Sequence, residues 1–295
     1  KKKPYVRDME ARIADAIIRA SNNMQPASLG VGKGRVEEGF NRRKIVNGVA
    51  EMFWTNRDRV PTTPLDYSLG LVRINDSNGA PIAHLINFQC HPVVLGPENL
   101  DISADYPGYM MAAVEKSLGG QAMFMQGAAG DINPFWDKTP PAEGAFEQCE
   151  KMGLAIAEEV IRVSKTINDF KSDLPISFKT EVIPLAHRND IDRQEKDKFL
   201  AEVNTVVIGD SLALATFPGE FFLEHGLNLK AGSKIPNTFF IGYCKGHLRY
   251  FPTIKACTEG GYGAASATQV EVGAGERLVN RAIINLHYQS ENIRR

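Results

Sequence analysis

Two pairs of segments that alternate apolar and polar residues, each closed by a tight turn, constrain this chain more than any other feature of its sequence. Leu69–Asn75 and Pro81–Gln89 have the period of two expected of half-buried strands, and Asp76-Ser77-Asn78-Gly79 supplies the turn. Val203–Ile208 and Leu212–Thr216 form a second pair across Gly209-Asp210-Ser211. Around the hairpins the pattern becomes helical. Val6, Met9, Ile13, Ala16, Ile17 and Ala20 predict an amphipathic helix over Val6–Ser21. Further helices are expected over Ala104–Leu118, with Ser103 or Asp105 near its start, over Glu143–Thr166 and from about Phe221 to Lys230. A closing helix spans Gly275–Gln289, with Leu278, Val279, Ala282, Ile283 and Leu286 on one face. Single strands are expected over Gln121–Gln126, Ser177–Leu185 and Asn237–Ile241. Strands interleaved with helices, but interrupted by two hairpins, predict an α/β fold with a mixed β-sheet and flanking helices. Gly30 to Gly39 reads as a glycine-rich stretch, His187–Lys198 as a solvated loop and Tyr243–Ser266 as a long Gly- and Tyr-rich loop. No internal repeat is evident.

Composition narrows the function classes. With 43% hydrophobic and 23% charged residues, the 295-residue chain can bury a substantial core. Its 34 basic residues nearly balance 35 acidic ones, so no global charge steers it towards nucleic acid or an anionic membrane. No apolar run approaches a membrane span. The four cysteines show no CxxC spacing; Cys244 and Cys257 are able to pair in an oxidising compartment and are equally consistent with free thiols. The chain lacks an initiator Met and a signal-peptide pattern, which reads as a start inside its gene.

Three polar features, His91, the Gly130–Asn133 loop and Glu220, each follow directly on a predicted strand, and strand-end loops are where α/β proteins gather functional groups. His91 precedes a proline that keeps it extended; it suits either a zinc ligand or a packed histidine bonded to backbone. Glu220, in a Pro-Gly-Glu turn ahead of a helix, suits either a helix cap or a metal ligand or general base. Tyr262, among small residues, is either an exposed loop residue or one presented to a site. There is no HExxH, no HxH, no G-x-S-x-G elbow and no Walker loop.

Taken in order, NFQCHPVVLG, ISADYPGY, MFMQGAAGDINP, FPGEFF and GYGAASA, preceded by LGVGKGRVEEGFNRR, resemble the catalytic domain of the neutral/alkaline (non-lysosomal) ceramidase family. The resemblance runs from about Val6 to His287. It implies one ceramidase-like catalytic domain over residues 1–295, with its N-terminal part missing and no C-terminal immunoglobulin-like domain. It implies a zinc ion (Zn2+) held by two histidines, a glutamate and a tyrosine, carried here by His91, Glu220 and Tyr262. The other histidine belongs to a His-Thr-His-Ser-Gly-Pro motif absent from this sequence, as is that motif's second histidine. Arg42 matches an arginine near the substrate carbonyl, and Asn133 stands where the family carries a catalytic serine. A further family tyrosine, about a dozen residues beyond the metal-binding one, falls at Ala274.

An asparagine cannot be a nucleophile, so the resemblance implies metal-activated water and hydrolysis of an amide (N-acyl) bond, in a linear or lipid-like substrate not confined to ceramide. It further implies a periplasmic or extracellular setting, with peripheral membrane contact and no nucleic-acid partner. The alternatives are a non-catalytic glycan- or lipid-binding protein on the same scaffold, or a hydrolase using Cys90.

Overall fold

The computed structural model describes residues 3–190 and 198–294. The chain runs α1 (Pro4–Asn22), β1 (Ala27–Arg35), β2 (Phe40–Asn41), β3 (Arg43–Val46), β4 (Val49–Met52), β5 (Ser68–Asp76) and β6 (Pro81–Phe88). It continues with α2 (Asp105–Leu118), β7 (Gln121–Gln126), β8 (Ile132–Asn133), α3 (Ala145–Thr166), β9 (Ile176–Leu185), β10 (Phe199–Ile208) and β11 (Leu212–Thr216). Last come β12 (Glu220–Phe221), α4 (Leu223–Gly232), β13 (Asn237–Ile241), β14 (Tyr250–Phe251), α5 (Ile254–Glu259) and α6 (Ala274–Arg294).

The expected mixed sheet is two four-stranded mixed sheets, ordered β1-β5-β6-β7 and β13-β11-β10-β9. Each contains an antiparallel hairpin (β5/β6, β10/β11), a crossing helix (α2, α4) and a strand that returns parallel to the hairpin's second arm (β7, β13). The architecture thus repeats where the residues do not. Leu69, Leu71, Ile86 and Phe88 of the first sheet pack under α2 and α3. Val203, Val207, Ala213 and Ala215 of the second pack under α6. Between the sheets lie Val72, Leu212 and Phe239, so the layers run helix, sheet, sheet, helix. Alternation within one strand explains this: Leu69 and Leu71 face the helices, while Gly70 and Val72 face the other sheet. A Cβ on Gly70 would approach the Phe239 ring to 2.5 Å, so glycine is what lets the sheets close there.

The first half of the glycine-rich stretch lies in the edge strand β1, paired with β5 from Ala27↔Asp76 to Arg35↔Ser68. Gly30, Gly32 and Gly34 fall on one face by the two-residue period, and a Cβ on any of them would collide with Ile167, Val163 or Glu159 of the α3 region. Helix α3 lies directly on the bare strand. The expected Tyr243–Ser266 loop likewise contains β14 and α5. Of the expected His187–Lys198 loop, residues 191–197 lie outside the described residues. No residue of α1 is buried. Among the described residues no helix is long and apolar enough to cross a membrane.

Candidate metal and active site

His91 and Glu220 occupy corresponding places in the two halves, each a few residues beyond the hairpin's second arm (β6 and β11). The two loops therefore leave the same end of the paired sheets and meet. The end of β6 is fixed first. Tyr106 donates its hydroxyl to the Cys90 carbonyl at 2.7 Å, and Gln126 donates to that carbonyl at 3.1 Å. Glu220 is held by the parallel pairing of β12 with β14, through Glu220 N–H to Arg249 O at 2.9 Å. The Gly127–Pro134 loop ties both to the rest. Asp131, 3% exposed, accepts from Leu223 N–H at 2.7 Å and from Asn41 Nδ2 at 2.8 Å. Gly130 N–H donates to Phe221 O at 2.7 Å.

At the centre, His91 Nε2 lies 2.8 Å from Glu220 Oε2, and His247 Nε2 lies 2.9 Å from Glu220 Oε1. Glu220 is not a helix cap: α4 takes Phe222 as its N-cap, with no side-chain bond. The Tyr250 and Tyr243 hydroxyls also bond to this carboxylate. Burial acts to raise its pKa, but the bond and charge of His91, with the Tyr250 and His247 bonds, outweigh burial and hold the group at about 2. Burial, opposed by Arg42 and helped by Glu220, pushes the Tyr250 phenol well above its ordinary range.

A depressed carboxylate contributes stability above its unfolded pKa of about 4.3 and loses it as pH falls towards the folded value. In metal-free buffer a Tm gap between the protein and Glu220→Gln is therefore expected at pH 5. It should close between about pH 4.3 and 2.5. A gap that does not change with pH would contradict this account of Glu220.

His91 Nδ1 lies 3.0 Å from Ile132 O. A carbonyl only accepts, so Nδ1 carries the proton and Nε2 faces Glu220. Both ring nitrogens then point at oxygen acceptors. A doubly protonated ring satisfies this, and so does a metal ion taking one proton's place. The Nδ1–H to carbonyl bond is the usual outer support of a metal-binding histidine. With the Tyr250 phenol beside them, the donor set of imidazole, carboxylate and phenol suits zinc. Among the described residues no three His, Cys, Asp or Glu side chains are grouped to hold a metal.

The structure brings Arg42 and Asn133 together beside this pair. Arg42, 4% exposed, donates from Nη2 to Gly130 O at 2.7 Å and from Nη1 to Asn133 Oδ1 at 3.2 Å. Asn133, fully buried, passes Nδ2–H to Asp137 Oδ2 at 2.7 Å. The guanidinium lies 5.1 to 5.5 Å from the centroids of Trp54, Tyr250 and Tyr262, and its Nε–H has no partner. Tyr262 is 38% exposed and meets Tyr250 edge-on at 5.4 Å, so it lines the cleft's outer wall. Arg42, Trp54, His91, Val93, Lys138, Tyr250 and Tyr262 enclose an open cleft of about 530 Å³.

Cys90 does not face this cleft. It is fully buried, its thiol points at His91 O, and burial raises its pKa well above the ordinary range, which removes a cysteine nucleophile. Cys244 and Cys257 are free thiols. His247, Tyr243 and Tyr250 escaped the sequence reading because they sit in what reads as a featureless loop. The Tyr250-Phe251-Pro252 run was the available signal, since Tyr250 and Phe251 pair in register with Glu220 and Phe221.

No protein-family model and no curated protein matches the sequence. Solved structures do. The chain is similar to a neutral ceramidase from Pseudomonas aeruginosa at TM-score 0.73 and 16% identity, over 95% of this chain and 55% of that one. It is similar to a ceramidase complexed with C2 at TM-score 0.70 and 16% identity, over 92% and 55%. The chain thus spans about half the length of either protein, and over that span it has the neutral ceramidase fold.

Proposed function

We propose that this chain carries the catalytic centre of a zinc-dependent hydrolase that cleaves an N-acyl amide, of lipid-like or other linear kind. The observation that carries the reading is the His91–Glu220 pair: Nε2 faces the carboxylate, Nδ1 is anchored to Ile132 O, and a buried arginine lies next to it. The fold shared with two ceramidases supports it. His91 and Glu220 would hold the metal together with one tyrosine. The resemblance assigns that tyrosine to Tyr262, with a partner tyrosine about a dozen residues further on. In the structure Tyr250, which precedes Tyr262 by 12 residues, brings its hydroxyl to Glu220, as Tyr243 also does, whereas Tyr262 is not among the groups bonded to it. The pair is better read as Tyr250 at the metal and Tyr262 on the cleft wall. Zinc bound there supplies Lewis acidity and lowers the pKa of water towards neutrality.

The chain's own residues do the rest. Arg42 borders the cleft with a buried guanidinium, a cation suited to the oxygen of an amide carbonyl as negative charge develops on it. Asn133 orients that guanidinium and relays its position to Asp137. Trp54 and Tyr262 cover Arg42 and keep water from it. One observation favours the non-catalytic alternative. Asn133 is fully buried and bonded on both sides, so no nucleophile stands at that position.

The test is hydrolysis of N-dodecanoyl amides by purified protein given equimolar zinc, with amine and carboxylate quantified together. Equimolar release that a chelator stops supports the reading. No amine from any amide with metal loaded would leave the binding-protein alternative.

A further inference from the structure

Two cations, Arg42 and Lys138, line the cleft. Arg42 is buried, and among the described residues no carboxylate lies within ion-pair distance of it. A second cation, the Lys138 ammonium, stands at the rim 5.0 Å from the Trp54 ring centroid. Two carboxylates lie near them, and Asp137 keeps one oxygen, Oδ1, without a partner. Glu220 is shared by His91 and His247, and Asp137 Oδ2 by Asn133 at 2.7 Å and Lys138 at 2.6 Å.

Lys138 is also placed with unusual care. Its φ is +49°, a left-handed conformation that a residue with a Cβ rarely adopts. The surroundings impose it. Lys138 N–H donates to Val93 O at 2.9 Å and Thr139 N–H to Val94 O at 2.8 Å, on the segment that leaves His91. A Cβ on Gly96 would reach the Lys138 backbone at 3.1 Å, which closes the remaining side. The ammonium therefore has a fixed origin on the wall that carries His91, yet its side chain is 43% exposed and spends one contact on Asp137. An ammonium has three donors, so others remain for a ligand.

We propose that Lys138 is a specificity residue that reads a negatively charged group, a carboxylate or a phosphate, on the part of the amide substrate lying against Trp54. This rests on the hydrolase reading above. It makes the preferred substrate an N-acyl amide with an acidic amine portion, such as an N-acyl amino acid, rather than a neutral one. Lys138 attracts the charge, Trp54 supplies a flat apolar wall beside it, and Arg42 stays with the carbonyl.

N-dodecanoylglycine, N-dodecanoyl-O-phosphoethanolamine and neutral N-dodecanoylethanolamine are compared in zinc-loaded protein and in Lys138→Met. Turnover is expected to favour the charged probes at least about tenfold in kcat/KM, and Lys138→Met to shrink that ratio at least about fivefold. The two charged probes separate carboxylate from phosphate as the favoured form. Quenching of tryptophan fluorescence by the same probes reads binding without turnover. Tighter binding of charged probes, lost in Lys138→Met, upholds the inference even with no amine released, and then the hydrolase reading alone fails. Equal binding and turnover of charged and neutral probes overturns the inference and leaves the hydrolase reading standing. No binding of any probe overturns both.

Discussion

Glu220→Ala is expected to lower kcat/KM for an N-acyl amide by about a thousandfold or more, about 4 kcal/mol of transition-state stabilisation. The size follows from the number of groups that depend on one carboxylate. His91 and His247 each place Nε2 within 3 Å of it, and the Tyr250 and Tyr243 hydroxyls bond to it. Under the proposed function truncation removes a metal donor, and it leaves buried donors without a partner, at roughly 1–3 kcal/mol of folding stability. Glu220→Gln separates the two effects. Its amide keeps the volume and part of the bonding, so Tm at pH 7 should fall less than for alanine, while activity stays near the alanine level because the charge is gone. Steady-state kinetics beside thermal melts check this, and a glutamine variant with a tenth or more of normal kcat/KM would remove Glu220 from the chemistry.

Arg42→Met is expected to reduce kcat by about a hundred- to a thousandfold with a smaller change in KM, as for loss of one oxyanion donor. The guanidinium is held by Gly130 O and Asn133 Oδ1 on one side and by three aromatic rings on the other, so its direction is fixed before substrate arrives. Methionine keeps most of the packing but none of the donors. Arg42→Lys should recover no more than about tenfold, because a point charge on a flexible stem cannot span Gly130 and Asn133 together. A large rise in KM with unchanged kcat would mean instead that Arg42 binds ground-state substrate.

The hairpins and the Gln121–Gln126 and Asn237–Ile241 strands were legible in the sequence because alternation and turn residues are local signals. Strand β1 was not. Its alternate glycines erase the apolar rhythm, and the reason for them is α3, more than a hundred residues away in sequence. The paired dipeptides β12 and β14 are too short to have a pattern at all; their register comes from loops meeting at the ends of two sheets. The same distinction divides the site. His91, Glu220, Arg42 and Asn133, which the structure brings close together, stood out in the sequence because they follow strands or lie in segments that resemble a known family. His247 and Tyr250 reach Glu220 across a stretch of chain that sequence cannot position. The doubling of the fold was invisible too, since the two halves share connectivity rather than residues.

The most direct test of the account is metal content. The purified protein is loaded with zinc, dialysed and analysed for bound metal beside His91→Ala and Glu220→Ala, with near-ultraviolet circular dichroism to confirm folding. The account predicts about one zinc per chain, lost from both variants. A folded protein that retains no zinc, or variants that keep it in full, would contradict the assignment of His91 and Glu220 to a metal centre.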